Sequence, residues 1–254
     1  MTPASMHAPP DAGPKWWRAR RPGIAAALLV LAAGAAFLAM LPRPLFHEPV
    51  SAVLLARDGA LLGARIAADG QWRFPERDAV PERFAAALLA YEDRRFQYHF
   101  GIDPLAVARA LRSNWRAGRV VSGASTLTMQ LARLVRQQGG ARRGRGYAEK
   151  IMQALLALRL EVAYSKDEIL ALYASHAPFG GNVVGLEAAA WRYFGRDPAQ
   201  LSWAEAATLA VLPNAPGLIT PGRARERLQQ RRDALLGVLA RRGVISAMDL
   251  ELAL

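Results

Sequence analysis

From Pro22 to Pro42 the chain carries no charged residue, and apolar positions fall on every side of a helical repeat. A helix without a polar face is not a surface helix of a soluble domain. As a helix, the run from Gly23 to Leu41 would extend roughly 28 Å, close to the ~30 Å hydrocarbon core of a bilayer. Lys15, Arg18, Arg20 and Arg21 precede it, and only Arg43 follows closely. This asymmetry predicts a single-pass transmembrane helix with a cytoplasmic N-terminal tail and the rest of the chain outside. Trp16 and Trp17 would sit at the interface. A cleavable signal peptide is the alternative, since Ala35 and Ala36 are small. The apolar run, however, exceeds the usual ~7–15 residue core of such signals.

Beyond the anchor the pattern changes. Residues 43–50 read as a Pro-bounded linker. Val53 to Leu55 and Leu61 to Ile66 flank Asp58-Gly59, a hairpin signal. Arg73 to Pro81 reads as loop. Helical periodicity then dominates, with expected helices from Pro81 to Glu92, Pro104 to Ala117, Ser125 to Gln137, Ala148 to Ala163 and Lys166 to Ala174. Asp103 and Ser165 are expected caps. The helix from Ala148 shows apolar spacing at Ile151, Leu155, Leu158 and Val162. Pro178 to Asn182 reads as a turn. Helices from Leu186 to Phe194, Trp203 to Leu212, Ala224 to Arg242 and Ala247 to Leu254 complete the chain. The expected organisation is a tail (1–21), a transmembrane helix (22–42), a linker with a small β element (43–80), and one mainly α domain (81–254).

Charge narrows the function classes. The 254 residues carry a formal net charge of +12, and only Lys15, Lys150 and Lys166 of the 33 basic residues are lysines. An anionic partner follows. With the basic body outside the membrane, nucleic acid drops away, and a diphosphate or an anionic leaflet remains. The chain has no cysteine, so disulfides and thiolate chemistry are excluded. His99 and His176 lack paired ligand spacing, so no protein-built metal site is expected. No Ser-x-x-Lys or Lys-Thr-Gly occurs, so no serine acyltransferase of the penicillin-binding kind is encoded.

Three stretches could carry chemistry. Tyr91-Glu92-Asp93-Arg94-Arg95-Phe96, followed by His99, ends an otherwise apolar helix with two acids. The helix C-terminus disfavours their charge while the arginines oppose that effect, a balance suited to a general base. A solvated helix end is the plainer reading. Gly123-Ala124-Ser125-Thr126-Leu127-Thr128-Met129-Gln130 places small residues and hydroxyls before a helix. Its first N–H groups could hold an anion, although an N-cap alone explains the pattern. Finally, Lys150 and Lys166 lie on consecutive helices in a chain that otherwise uses arginine, which suits a site wanting compact ammonium groups. Arg133, Arg136, Arg142, Arg143 and Arg145 make this the most basic part of the outer domain.

Taken together, these stretches resemble glycosyltransferase family 51, the peptidoglycan glycosyltransferases, over roughly residues 50–250. EDRRFQYHFGID (92–103), GASTLTMQ (123–130), KDEILALY (166–173) and RRDALLGVLARRGVI (231–245) resemble four of its motifs in order. HAPFGGN (176–182) and LAVLPNAP (209–216) look most like class A penicillin-binding proteins of the 1C type. The resemblance implies a lysozyme-like, mainly α fold with an apolar region near the membrane. It also implies polymerisation of lipid II at the cytoplasmic (inner) membrane, on the outer, periplasmic side. An acceptor 4-hydroxyl attacks the donor MurNAc C1 with inversion, and undecaprenyl diphosphate leaves. The implied general base is Glu92. Implied substrate contacts are Asp93, Arg94, His99, Ser125, Thr126, Gln130, Arg133, Lys150, Gln153, Lys166 and Tyr173. The implied partners are lipid II, the growing glycan strand, the membrane and other wall-synthesis proteins, with no nucleic acid. The resemblance allows a divalent cation, magnesium or manganese, without requiring a protein-built site.

The departures are specific. The family's third motif, Arg-Lys-x-x-Glu, reads Glu149-Lys150-Ile151-Met152-Gln153 here. A glutamine cannot take a proton usefully or bring a metal a full charge. Glu149, one turn earlier on the same face, is a candidate auxiliary acid. The Asn expected after Tyr173 is Ser175, and Ala124 and Met129 replace a usual Gly and Gln. Class A proteins continue into a transpeptidase domain, whose signatures are missing from this chain. Two other readings stay open: a non-catalytic lipid II or glycan-binding anchor, and, by fold analogy alone, a glycan hydrolase.

Overall fold

The computed structural model describes residues 16–121, 123–138, 146–213 and 224–254, with side chains from residue 23. Residues 1–15 of the expected tail, the basic segment at 139–145 and the end of LAVLPNAP lie outside the described residues, while residues 16–21 of that tail are helical. The chain divides into two units, Met1–Met40 and Leu41–Leu254.

The first unit is one helix, α1 (Trp16–Leu38). It ends four residues before the expected boundary at 42, so its part from residue 23 to 38 extends roughly 24 Å. Among the described residues no helix is long and apolar enough to cross a membrane. Yet residues 23–36 are all exposed, with Leu29 73% and Val30 70% accessible.

The second unit is mainly α with two small sheets. β1 (Ala52–Leu55) and β2 (Leu61–Arg65) form the expected antiparallel hairpin. Asp58 Oδ1 accepts the Ala60 N–H at 3.1 Å across its turn. The second sheet was not expected. β3 (Trp72–Arg73), β4 (Pro178–Gly180) and β5 (Val183–Val184) pair in the order β3-β5-β4, with β3 parallel to β5. Strands of two or three residues are too short to show alternation, so 73–81 and 178–182 read as loop and turn.

The linker is also more ordered than expected. Leu45 is buried and its carbonyl accepts from Gln138 Nε2 at 2.6 Å. Phe46 stacks on His176 with ring centroids 3.5 Å apart. Arg73 Nη1 donates to the Pro49 carbonyl at 2.6 Å. Its partners lie 24 to 130 residues away in sequence, beyond the reach of local patterning.

The remaining helices follow the predicted positions closely. They are α2 (Glu82–Glu92), α3 (Pro104–Ala117), α4 (Leu127–Arg136), α5 (Tyr147–Ala163), α6 (Lys166–His176), α7 (Leu186–Phe194), α8 (Trp203–Ala210), α9 (Arg225–Arg241) and α10 (Ala247–Ala253). Asp103 caps α3 and Ser165 caps α6 with a full capping box. α4 is the core helix: Leu127, Met129, Leu131, Ala132 and Val135 are all buried, and it packs on α5 and α6. α2 packs on α8 and α9, where Ala206, Ala207 and Ala210 allow close approach.

α5 inverts the expectation from its apolar spacing. Ile151, Leu155 and Val162 are exposed, whereas Gln153, Leu156, Ala157, Arg159 and Leu160 are buried. The helix turns a second face, carrying Leu156, Ala157 and Leu160, into the core and leaves the sequence-marked stripe outside.

Candidate active site

The site is built around the end of α2. Asp93, the C-cap of α2, leaves helical geometry at φ −151° and ψ 77°, so the helix stops with Glu92 half-buried in its last turn. Asp93 is buried and directs its carboxylate away from solvent. Its Oδ2 accepts the Leu127 N–H at 2.9 Å and lies 2.9 Å from His99 Nε2. A carboxylate only accepts, so His99 Nε2 carries the hydrogen. The first turn of α4 is thereby stapled to the loop after Glu92. Thr126 caps the same helix, accepting from the Met129 N–H at 3.1 Å and donating to the Gly101 carbonyl at 2.6 Å. Two of the N–H groups that could have held an anion are therefore occupied by protein, and the N-cap reading of this segment holds.

Glu92 itself is oriented by a hydrogen-bond chain. Gln130 Nε2 donates to Glu92 Oε2 at 2.8 Å, and Tyr173 OH donates to Gln130 Oε1 at 3.1 Å. Tyr173 is almost fully buried, and burial, reinforced by the Glu92 charge, pushes its phenol well above the usual range, so it stays a donor.

Glu92 lines two cavities. One, of about 270 Å³, is bounded by Glu92, Ser125, Gln130, Arg133, Lys150 and Gln153. The other, of about 380 Å³, includes Glu92, Ser125, Thr126, Arg94, Arg109 and Arg242. Each holds at least two cations beside the same carboxylate. Lys150 contacts Ser125 Oγ, and burial, followed by the nearby Arg133 charge, holds its ammonium below the ordinary lysine range.

Lys166 is placed elsewhere. Its Nζ donates to Glu161 Oε1 at 2.8 Å and to the His99 carbonyl at 2.6 Å, and sits 4.4 Å from the centroid of Phe96. It lines neither cavity. The two lysines that the sequence grouped together thus differ: one faces the cavity and the other locks the loop behind it. Asp93 borders the second cavity, while His99 and Tyr173 lie behind the site as supports.

Sequence reasoning missed Thr128 and Glu161, which meet at 2.7 Å in the buried network around Lys166. It also missed Arg109 and Arg242 in the second cavity. Arg242 lies within the last quoted motif, which was the available signal; Arg109 had none. Arg136 was read only as part of a basic surface, but it grips Glu149 through two hydrogen bonds of 2.9 and 2.8 Å.

Among the described residues no group of three or more His, Asp or Glu could hold a metal ion. The donor set beside Glu92 does not make a cation site, because Arg133 and Lys150 share that cavity and would repel one.

The site thus sets one carboxylate beside two basic cavities on a helical scaffold. Residues 59–240 match the transglycosylase family, and the chain belongs to it. It is 45% identical over 206 residues to penicillin-binding protein 1C of Escherichia coli, covering 81% of this chain and 26% of that protein. It is 42% identical to penicillin-binding protein 1A of Aquifex aeolicus, covering 68% of this chain and 23% of that one. With penicillin-binding protein 1F of Bacillus subtilis it shares 35% identity, over 67% of this chain and 23% of the relative. The chain spans about a quarter of the length of these curated relatives.

Proposed function

We propose that this protein is a peptidoglycan glycosyltransferase that polymerises lipid II, with Glu92 as general base. The observation that carries the reading is that Glu92 borders both basic cavities at once. A transfer between two lipid diphosphates needs one anionic tail held on each side of the reacting centre. In this reading Glu92 takes the proton of the acceptor 4-hydroxyl, whose oxygen forms a bond to the donor C1 from the face opposite the leaving group. The C1–O bond to the diphosphate breaks with its electron pair, and the anomeric centre inverts. Lys150, Arg133 and Ser125 meet the departing charge, where fixed cations in a partly desolvated site are most effective. Arg94, Arg109 and Arg242 would hold the acceptor's diphosphate. No step passes through a metal.

The membrane anchor belongs to the same proposal. Residues 23–36 of α1 are uncharged and exposed, and the basic residues at 15–21 that precede this stretch favour a cytoplasmic N-terminus. The domain would then work on the outer face of the inner membrane, beside the lipid-linked substrate and the growing strand.

The test is incubation of detergent-solubilised protein with labelled lipid II. Glycan chains are expected from the wild type, and Glu92→Gln should lose about 10²–10⁴-fold in kcat with an unchanged melting temperature. Absence of product from the wild type, where a known polymerase succeeds, overturns the reading. Gln153, in place of a glutamate, motivates the second reading, a lipid II-binding anchor without turnover. Saturable binding with no polymer would select it.

A further inference from the structure

We propose that Glu149 is a positioning residue that turns the carboxamide of Gln153 so that its oxygen faces the substrate, where it accepts a hydrogen bond from a hydroxyl or amide N–H of the bound glycolipid. The inference rests on the glycosyltransferase reading above and concerns how the first cavity grips its substrate.

Arg136, at the end of α4, holds both oxygens of Glu149 through Nε and Nη2, with both side chains largely buried. A bidentate grip of this kind fixes the plane of the carboxylate. Glu149 Oε1 then lies 3.3 Å from Gln153 Nε2, one turn further along α5. A carboxylate has only acceptors, so the group turned toward it must be the amide NH2; the opposite orientation would bring two oxygens together. Gln153 is 8% exposed and lines the cavity with Glu92, Arg133 and Lys150. With its nitrogen committed to Glu149, the amide is left with its oxygen for the cavity. Gln153 therefore supplies what a carboxylate would supply there, a directed acceptor, without its charge.

A charge at 153 would be costly at this place, because it would lie against the Glu149 carboxylate. The groups that face the pair are Arg133 and Arg136 from α4, Glu92 from α2 and Lys150 from α5 itself.

The test uses Gln153→Glu, Glu149→Gln and the double variant E149Q/Q153E, assayed with lipid II as kcat and KM across pH. Q153E puts two carboxylates in one pocket, so one keeps its proton to higher pH. While that proton is held, the pair reproduces the native donor–acceptor arrangement. As it leaves, the two carboxylates repel and turn apart, so the acceptor is no longer aimed at the substrate and kcat/KM should fall by about tenfold, the worth of one hydrogen bond. The double variant, with an amide at 149 donating to a carboxylate at 153, should regain the activity and show no such limb. E149Q alone should raise KM with kcat held, because it removes only orientation in the bound state. Equal loss in Q153E and the double variant, or an unchanged KM in E149Q, overturns the proposal. Where Q153E fails to fold, the isosteric E149Q decides. Titration of 13C-labelled glutamate gives a readout independent of turnover: a raised carboxyl in Q153E that vanishes in the double variant is expected, and its absence from folded Q153E overturns the proposal. Failure of the wild type to polymerise defeats the glycosyltransferase reading instead, while the titration still reports on the amide.

Discussion

At the residue scale, Lys150 and Lys166 show how one residue type takes two roles. Lys150 faces the cavity beside Arg133 and Ser125, so Lys150→Ala should raise KM for lipid II and leave the melting temperature nearly unchanged. Lys166 neutralises Glu161, whose side chain is only 3% exposed, so its truncation strands a buried carboxylate. Lys166→Ala should destabilise the fold by on the order of 3 kcal/mol, read as a lower midpoint in urea. Lys150 also sets a pH dependence. Its ammonium titrates below the ordinary lysine range because of burial and then Arg133. The positive charge is present below that pKa, so affinity for the diphosphate should weaken as pH rises through it, sooner than with an exposed lysine. Lys150→Arg, which stays charged, should remove that alkaline limb from a plot of KM against pH.

At the scale of elements, the site depends on how α4 and α5 are held against the loop after α2. Gly101 marks the tightest point. Its φ is +73°, and a Cβ there would lie 3.0 Å from the backbone carbon and oxygen of Ala157 on α5. Its carbonyl receives the Thr126 hydroxyl that caps α4. Gly101→Ala should cost at least 1–2 kcal/mol from backbone conformation alone, lowering Tm by roughly 3 °C or more in a domain of this size. Activity should fall with it, since α4 carries Gln130 and Arg133. Helix positions and caps were legible in the sequence because residues such as Asp103 and Ser165 act within a few residues of themselves. The short strands were not: β3 pairs with β5 about 110 positions away, and β4 and β5, though neighbours, are only three and two residues long. The apolar stripe of α5 was legible as a pattern, but its direction was not, because periodicity finds a face without saying what covers it.

At the scale of the whole molecule, the unit Leu41–Leu254 leaves large apolar side chains exposed on two of its helices. Leu111 and Trp115 on α3, and Tyr147, Ile151 and Val162 on α5, are 55–91% exposed. Together with the +9 of the chain's formal charge that lies in Leu41–Leu254, they predict that this unit binds vesicles without α1. Binding should be stronger to anionic than to neutral lipid and should weaken with salt, as measured by vesicle sedimentation. Trp115→Ala and Ile151→Ser should each reduce it. Loss of all vesicle binding on removing residues 1–40 would show that α1 alone confers membrane attachment.

The sequence by itself determined the helical architecture and the family, and through the resemblance pointed to Glu92, because periodicity, caps and ordered motifs are local or near-local properties of the chain. It also flagged Glu149 and Gln153 as departures without saying how they fit together. Only the tertiary structure decided that Lys166 turns inward to Glu161, that Asp93 and His99 brace the start of α4, and that Arg109 and Arg242 join the second cavity. It also decided that Arg136 fixes Glu149 against Gln153. Each of these contacts pairs groups brought together by packing between helices, and a side chain's partner, unlike its helical phase, is set by the whole fold.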